Sequence, residues 1–215
     1  MKIGRMLLLM QRESSRRGAP VLSVESAIGR GPFAILVFTV LSARTRDETT
    51  IKAGRRLLSR APTPQKLARL PLPQIQKLIY PVGFYKTKAR HLHSLSLALL
   101  RDFGGKVPSA FESLIPLPGV GMKTANIVLA SAFGKDTIGV DTHVHRISNR
   151  LGWVKAKSPE KTSAILNKTI PDKFRRRLNM SMVAFGQTVC TPLRPFCTEC
   201  PLTKVCPKIG VTSRR

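Results

Sequence analysis

Four cysteines fall within 17 residues near the C-terminal end, as Cys190-x6-Cys197-x2-Cys200-x5-Cys206. Thiolates clustered in this way can enclose one metal centre, either tetrahedral zinc or a 4Fe–4S cluster. Zinc ribbons usually bring two CxxC pairs, whereas this chain has one, Cys197 with Cys200. A disulfide framework would be spread across the fold, and here every cysteine sits in one short segment. Four unliganded structural thiols are the bland alternative, and the clustering weighs against it.

A second constellation precedes the cysteines. Leu117-Pro118-Gly119-Val120-Gly121 is followed at once by Lys123. Glycines let the backbone turn tightly and leave nothing over its amides. A helix is expected to begin directly after them, so its first N–H groups point outward and suit a phosphate. An ordinary glycine turn fits the same letters. Lys123 would lie in the first turn of that helix, at the positive end of its dipole. Only a neutral amine can attack carbon, and an ordinary lysine is neutral in under ~0.1% of molecules at pH 7. Taken alone, a lysine beside a glycine loop is more often a phosphate contact than a nucleophile. Asp141 reads as the N-cap of a helix over 142–151, with Gly152 as its stop. A carboxylate there can also stabilise a cationic sugar and manage the lysine's protons. His143 and His145, one helix step on, read as DNA-facing or structural.

Taken together, these segments resemble a known family. Leu117–Asn126 (LPGVGMKTAN), followed by Val140–His143 (VDTH), is similar to the helix–hairpin–helix DNA glycosylases with a Gly/Pro-rich loop and a distal Asp. Leu41–Asp47 (LSARTRD), Gly83–Ala89 (GFYKTKA) and the cysteines fit the same family in the right order, so the resemblance covers roughly residues 30–208. It implies base-excision repair of duplex DNA, with Lys123 and Asp141 as catalytic residues. The lysine would attack the anomeric carbon of a damaged nucleotide and release the base. A Schiff base would then allow β-elimination at the abasic site. Monofunctional relatives that excise mispaired bases carry Ser or Tyr where this chain has Lys123. The implied substrates are oxidised or ring-saturated pyrimidines; a mismatch-specific uracil or thymine glycosylase is the runner-up, and a non-catalytic DNA-binding protein the rival from another class. The 6-2-5 spacing resembles the family's loop for a 4Fe–4S cluster, which makes Cys190, Cys197, Cys200 and Cys206 its ligands and holds Arg194 toward a phosphate.

The same resemblance assigns DNA contacts. Gly119 and Gly121 would admit a phosphate to the backbone. Arg44 stands where the family often has Gln, at the position that fills the gap left by an extruded base. Arginine can insert, stack and donate hydrogen bonds there, with altered opposite-base preference; a simple phosphate contact is the alternative. Lys88 is expected to touch a phosphate and Tyr85 to pack. Arg175–Arg177 reads as a solvated basic face, with DNA as the alternative.

The elements that must position these groups read as helices. Lys2–Arg12 is a short helix in a basic lead-in over residues 1–31, broken by Arg17, Gly18 and Pro20. Phe33–Ala43 is too long and apolar for a strand and reads as a buried helix. Thr45 with Glu48, and Ser109 with Glu112, fit capping boxes. Pro62, Pro64, Pro71 and Pro73 punctuate two short helices. Ala89, Leu92, Leu95 and Leu99 recur at helical spacing within 85–103, and Gly104–Gly105 stops them. Helices are also expected over 123–133, from Ser158–Pro159, and from about Pro171 to Thr188. The expected class is all-α. The family likeness splits it into a six-helix domain with the hairpin (25–135) and a cluster domain (1–24 and 136–215), flanking a DNA-binding cleft.

Charge agrees with such a partner. The chain has 37 Lys plus Arg against 11 Asp plus Glu, a formal +26 over 215 residues. The basic residues are spread along its length, and a polyanion would relieve their repulsion. A ribosomal protein would show the same balance, so charge alone does not choose. No apolar run reaches the ~18 residues of a membrane span, and Met6–Met10 is short for a signal-peptide core. The expectation is an intracellular monomer (cytoplasm or nucleoid if prokaryotic) acting on double-stranded DNA with a damaged base or abasic site, without a membrane partner.

Overall fold

A computed structural model of the chain describes residues 2–27 and 31–215, with side chains for 2–23 and 31–215. Among the described residues there are twelve helices and no strand. In chain order they are α1 (Ile3–Arg16), α2 (Pro20–Ala27), α3 (Pro32–Ser42), α4 (Asp47–Arg60), α5 (Pro64–Ala68) and α6 (Leu72–Ile79). There follow α7 (Tyr85–Phe103), α8 (Phe111–Leu114), α9 (Met122–Phe133), α10 (Thr142–Arg150), α11 (Pro159–Thr169) and α12 (Asp172–Thr188). The all-α expectation holds. The helix α2 was not foreseen, and residues 28–30, at the end of the expected lead-in, lie outside the described residues. No helix among the described residues is long and apolar enough to cross a membrane.

The chain forms two compact units, one of Ser23–Gly134 and one of Met1–Leu22 with Lys135–Arg215. The first is built round α3. Phe33, Ile35, Leu36, Val37, Phe38, Val40 and Leu41 are all buried, so this helix has no polar face. Its β-branched residues have modest helix propensity, which burial on all sides overrides. Pro32 sits in its first turn, where a missing N–H costs nothing. Helix α4 approaches closely because Gly54 has no Cβ; one placed there would meet the Phe38 ring at 2.5 Å. Helix α7 contributes Leu92, Leu95 and Leu99, each fully buried at i, i+3, i+7 spacing. Gly104 ends it in the left-handed conformation, φ 59°.

The second unit packs α1 along α12 and α10 against both α11 and α12. Met6, Leu7 and Met10 form the buried stripe of α1, and Gly4 lets the Phe174 ring lie against the backbone. Ser158 caps α11 by accepting a hydrogen bond from the Lys161 N–H at 3.3 Å, as the Ser-Pro start led one to expect. The two capping boxes do not form. Helix α4 starts after Arg46 and α8 after Ala110, neither with a side-chain cap. Glu48 instead pairs with Lys52 at 2.7 Å, and the Thr45 hydroxyl is engaged elsewhere, as described below.

Candidate nucleic-acid interface and cysteine centre

The glycine hairpin joins α8 to α9. Val120 N–H donates to Leu117 O at 3.0 Å, which closes the turn, and Ala125 N–H donates to Gly121 O at 2.9 Å, which opens the helix. Gly119 has φ +79°, and a Cβ there would meet His91 Cβ and Nδ1 at 3.0 Å, so a side chain would be strained by its backbone and crowded by His91. Gly121 differs: its backbone is extended, at φ −98° and ψ 177°, and nothing lies within 4 Å of where a Cβ would be. No side chain caps α9. Its leading amides therefore face a surface that a phosphate oxygen can approach. Lys123 is the second residue of α9 and is exposed, as are Gly121 and Met122 beside it.

A second exposed feature of the same unit lies at the turn after α3. Arg44 is exposed and held at φ 52°, a left-handed conformation that costs a non-glycine residue about 1–2 kcal/mol. Its guanidinium sits 5.8 Å from the centroid of the Phe84 ring, within cation–π range. Phe84 is itself left-handed, at φ 58°, and 63% exposed. Sequence reading passed over Phe84. Its one legible signal was a large apolar residue directly after Gly83, since nothing local announces a positive φ at phenylalanine. Tyr85 packs, as expected, edge-on to Tyr80 at 5.3 Å and against the unit's core.

Lys88 does not reach outward. It is 6% exposed, and its ammonium donates to Leu41 O at 2.8 Å, Ala43 O at 2.5 Å and Thr45 Oγ1 at 3.0 Å. The expected phosphate contact is thus corrected: three internal acceptors use its three N–H groups. Two are carbonyls at the C-terminal end of α3, where backbone acceptors lack helical partners and a cation is favoured. Burial pushes the Lys88 amine down to about 8.

Asp141 belongs to the other unit. It is partly buried, and its Oδ1 accepts from the N–H groups of His143 and Val144, each at 2.9 Å. It is the N-cap of α10, as expected, and α10 ends at Arg150 with Gly152 at φ 69° beyond it. The histidines are anchored within the fold. His145 Nδ1 lies 2.7 Å from Thr162 Oγ1, and His143 Nδ1 lies 3.1 Å from an Arg146 nitrogen. Of the arginine run, Arg175 donates to Asn167 O at 2.6 Å and Ile170 O at 2.9 Å, and so closes the end of α11. Arg176 and Arg177 are exposed.

The four cysteines line one small cavity of about 30 Å³, walled by Phe185, Val189 and Leu202. Each is half-buried. Leu202 N–H donates to Cys200 Sγ at 3.4 Å, and the Arg150 guanidinium donates to Cys190 Sγ at 3.4 Å. Arg150 is 8% exposed and also holds Thr191 O at 2.7 Å and Pro192 O at 2.6 Å. One turn earlier, Arg146 donates to Cys190 O at 2.9 Å and Gly186 O at 3.1 Å. Neither arginine was singled out from sequence, although their i, i+4 spacing on one helix face was legible. Burial pushes the Cys200 thiol up to about 11, and burial also raises that of Cys206. A cation bound here must therefore displace protons. The donor set and the N–H groups aimed at sulfur fit thiolate ligation. Arg194 is exposed near the tip of the same loop, beside Leu193 at 86% exposure. Phe196 lies beneath Arg17 at 5.0 Å and Arg215 at 4.8 Å, and Arg17 also pairs with Glu199 at 2.6 Å.

Comparison with known proteins places this geometry in context. The profile of the HhH-GPD superfamily base excision DNA repair proteins matches residues 37–172. Endonuclease III of Thermotoga maritima is 49% identical over 175 residues, covering 81% of this chain and 82% of that protein. A solved structure described as a trapped endonuclease III–DNA covalent intermediate superposes with a TM-score of 0.84 at 34% identity, over 96% of this chain and 94% of the other. A thermostable thymine-DNA glycosylase shares the fold, with a TM-score of 0.76 at 24% identity over 93% of this chain and 96% of the other.

Proposed function

The chain belongs to the HhH-GPD superfamily of base excision DNA repair proteins, and from this we propose that it excises damaged pyrimidines from duplex DNA and cuts the resulting abasic site through Lys123. It is a DNA glycosylase and AP lyase of the endonuclease III kind. The observation that carries the residue assignment is the placement of Lys123. It is exposed on the second position of α9, directly beyond the glycine hairpin, and α9 has no side-chain cap at its start.

The proposed chemistry follows from that placement. The backbone N–H groups at the start of α9 hold a phosphate of the target strand. The neutral Lys123 amine attacks C1′ of the extruded nucleotide. Its lone pair forms the N–C1′ bond as the glycosidic C1′–N bond breaks, and the base departs with that electron pair and takes up a proton. Opening of the sugar gives an iminium ion. Loss of a C2′ proton then expels the 3′ phosphate. Asp141, fixed by the two amides of α10, supplies the carboxylate that stabilises the cationic sugar and carries protons. Exposed Arg44, lying over Phe84, is suited to meeting bases at the vacated position, because a guanidinium on an aromatic ring can stack and donate at once.

The proposed cofactor is a 4Fe–4S cluster on Cys190, Cys197, Cys200 and Cys206. When bound, it holds the 190–206 loop in shape and presents Arg194 to the DNA backbone. What supports it is that all four thiols line one cavity and that two N–H groups are directed at sulfur, from Leu202 to Cys200 and from Arg150 to Cys190. The mismatch alternative has only fold likeness behind it. A single copy carries every group named, and action as an intracellular monomer is part of the proposal.

Borohydride trapping tests the reading. Incubation with a duplex containing one thymine glycol or abasic site should give a covalent adduct that Lys123→Ala abolishes. Base release without strand cutting or adduct would overturn the lyase assignment.

A further inference from the structure

The turn that displays Arg44 is held by a buried lysine and its partners. Lys88 Nζ bonds both carbonyls flanking Ser42, at Leu41 and Ala43, together with the Thr45 hydroxyl. That hydroxyl also accepts the Gly83 N–H at 3.2 Å and donates to Ala43 O at 3.3 Å. Gly83 is tight against the same turn, since a Cβ there would lie 2.6 Å from Arg44 O. Residues 41–45 and 83–88 are thus fastened together at Lys88, Thr45 and Gly83. Left to itself, a left-handed arginine would relax to a commoner conformation.

We propose that Lys88 is a positioning residue that locks the 41–45 turn so that Arg44 is preorganised for duplex DNA before the duplex arrives. This rests on the reading that Arg44 meets the duplex. Lys88 itself makes no contact with DNA; it acts only through Arg44. Preorganisation of this kind lowers the ordering cost at binding. Its effect should therefore appear in affinity for a duplex and be absent where there is no duplex to probe.

The experiment is a double-mutant cycle in the full-length protein. Affinity is measured for a duplex containing a tetrahydrofuran abasic analogue, using wild type, Arg44→Ala, Lys88→Met and the double variant. Each single variant is expected to bind roughly tenfold more weakly, the scale of a lost charge-assisted hydrogen bond. The double variant should bind no more weakly than either, because the two residues share one effect. Lys88→Met should raise KM on a lesion duplex with little change in kcat. Borohydride trapping of Lys88→Met on a single-stranded abasic oligonucleotide should match wild type. Losses that multiply to roughly a hundredfold in the double variant would overturn the proposal, as would wild-type affinity in Lys88→Met when Arg44→Ala is impaired. Wild-type affinity in Arg44→Ala would instead overturn the reading of Arg44 itself. If circular dichroism shows that Lys88→Met has not folded, Thr45→Val carries the same cycle, since it removes one Lys88 acceptor and leaves the two carbonyls.

Discussion

Two glycines two residues apart should fail in opposite ways when replaced by alanine. At Gly119 the methyl group is forced into φ +79°, and its Cβ lies 3.0 Å from His91 Cβ. The left-handed conformation costs about 1–2 kcal/mol, and displacing His91 adds to it. A total of about 2 kcal/mol, in a unit of this size, lowers the melting midpoint by roughly 6–12 °C. At Gly121 the backbone is extended and a Cβ meets nothing within 4 Å. Gly121 is the N-cap of α9, where alanine is less favourable than glycine, so Gly121→Ala should cost about 0.5–1 kcal/mol, less than Gly119→Ala. A methyl group at this N-cap nevertheless stands beside the α9 amides, where the proposal puts a phosphate. Losing a charge-assisted bond there costs about 1.5–3 kcal/mol, which is a roughly 10- to 150-fold weaker Kd. Thermal melting and titration with a fluorescent abasic duplex at fixed salt read the two effects separately. Gly119→Ala melting like wild type would refute the conformational argument. Gly121→Ala binding like wild type would refute the phosphate cradle.

Three further outcomes are expected. Arg194→Ala should flatten the log-affinity against log-salt slope by about 0.9, the value of one phosphate contact, whereas Arg175→Ala should leave the slope alone and lower the melting midpoint, because Arg175 closes α11. Glu13 is held down to about 2, first by its hydrogen bond to Arg16 and then by Arg17. Its folded value lies below its unfolded one, so its contribution is complete above about pH 4.5 and is lost as pH falls toward 2; after screening of the exposed Arg16, about 1–2 kcal/mol is involved. Acid melts from pH 5 to 2 should be shallower in Glu13→Gln, and an unchanged slope would discount the pair. Arg150→Met removes the donor to Cys190 Sγ and to two loop carbonyls. In protein carrying the proposed cluster, visible absorbance should then show faster iron loss to a chelator than in wild type, and an equal rate would mean that Arg150 does not hold the loop.

Helices were legible wherever punctuation and period agreed. Pro32, Gly104 and the Leu92-Leu95-Leu99 stripe gave α3 and α7 almost to the residue, and Asp141 and Ser158 announced their own caps. The capping boxes failed because a Ser/Thr-x-x-Glu pattern reports only local options. Thr45 had better partners at Gly83 and Lys88, about 40 residues away. Lys88 was misread for the same reason. In a strongly basic chain a lysine near a helix start looks like a phosphate contact, and only the tertiary structure brings the end of α3 against it. Helix α2 escaped notice since Pro20–Ala27 has little hydrophobic periodicity. The family was legible through the order of several short motifs, and the support given by Arg146 and Arg150 was not, because their partners lie some 40 residues further on.

The discontinuity of the second unit has a consequence for biosynthesis. Helix α1 buries Met6, Leu7 and Met10 against α12, which is complete only after roughly 170 more residues have been added. At about 5–20 residues per second, that apolar stripe waits about 9–34 s for its partner. Meanwhile Ser23–Gly134, which is continuous in the chain, can complete its own core. Helix α1 is therefore a segment that needs shielding during translation until α12 has emerged.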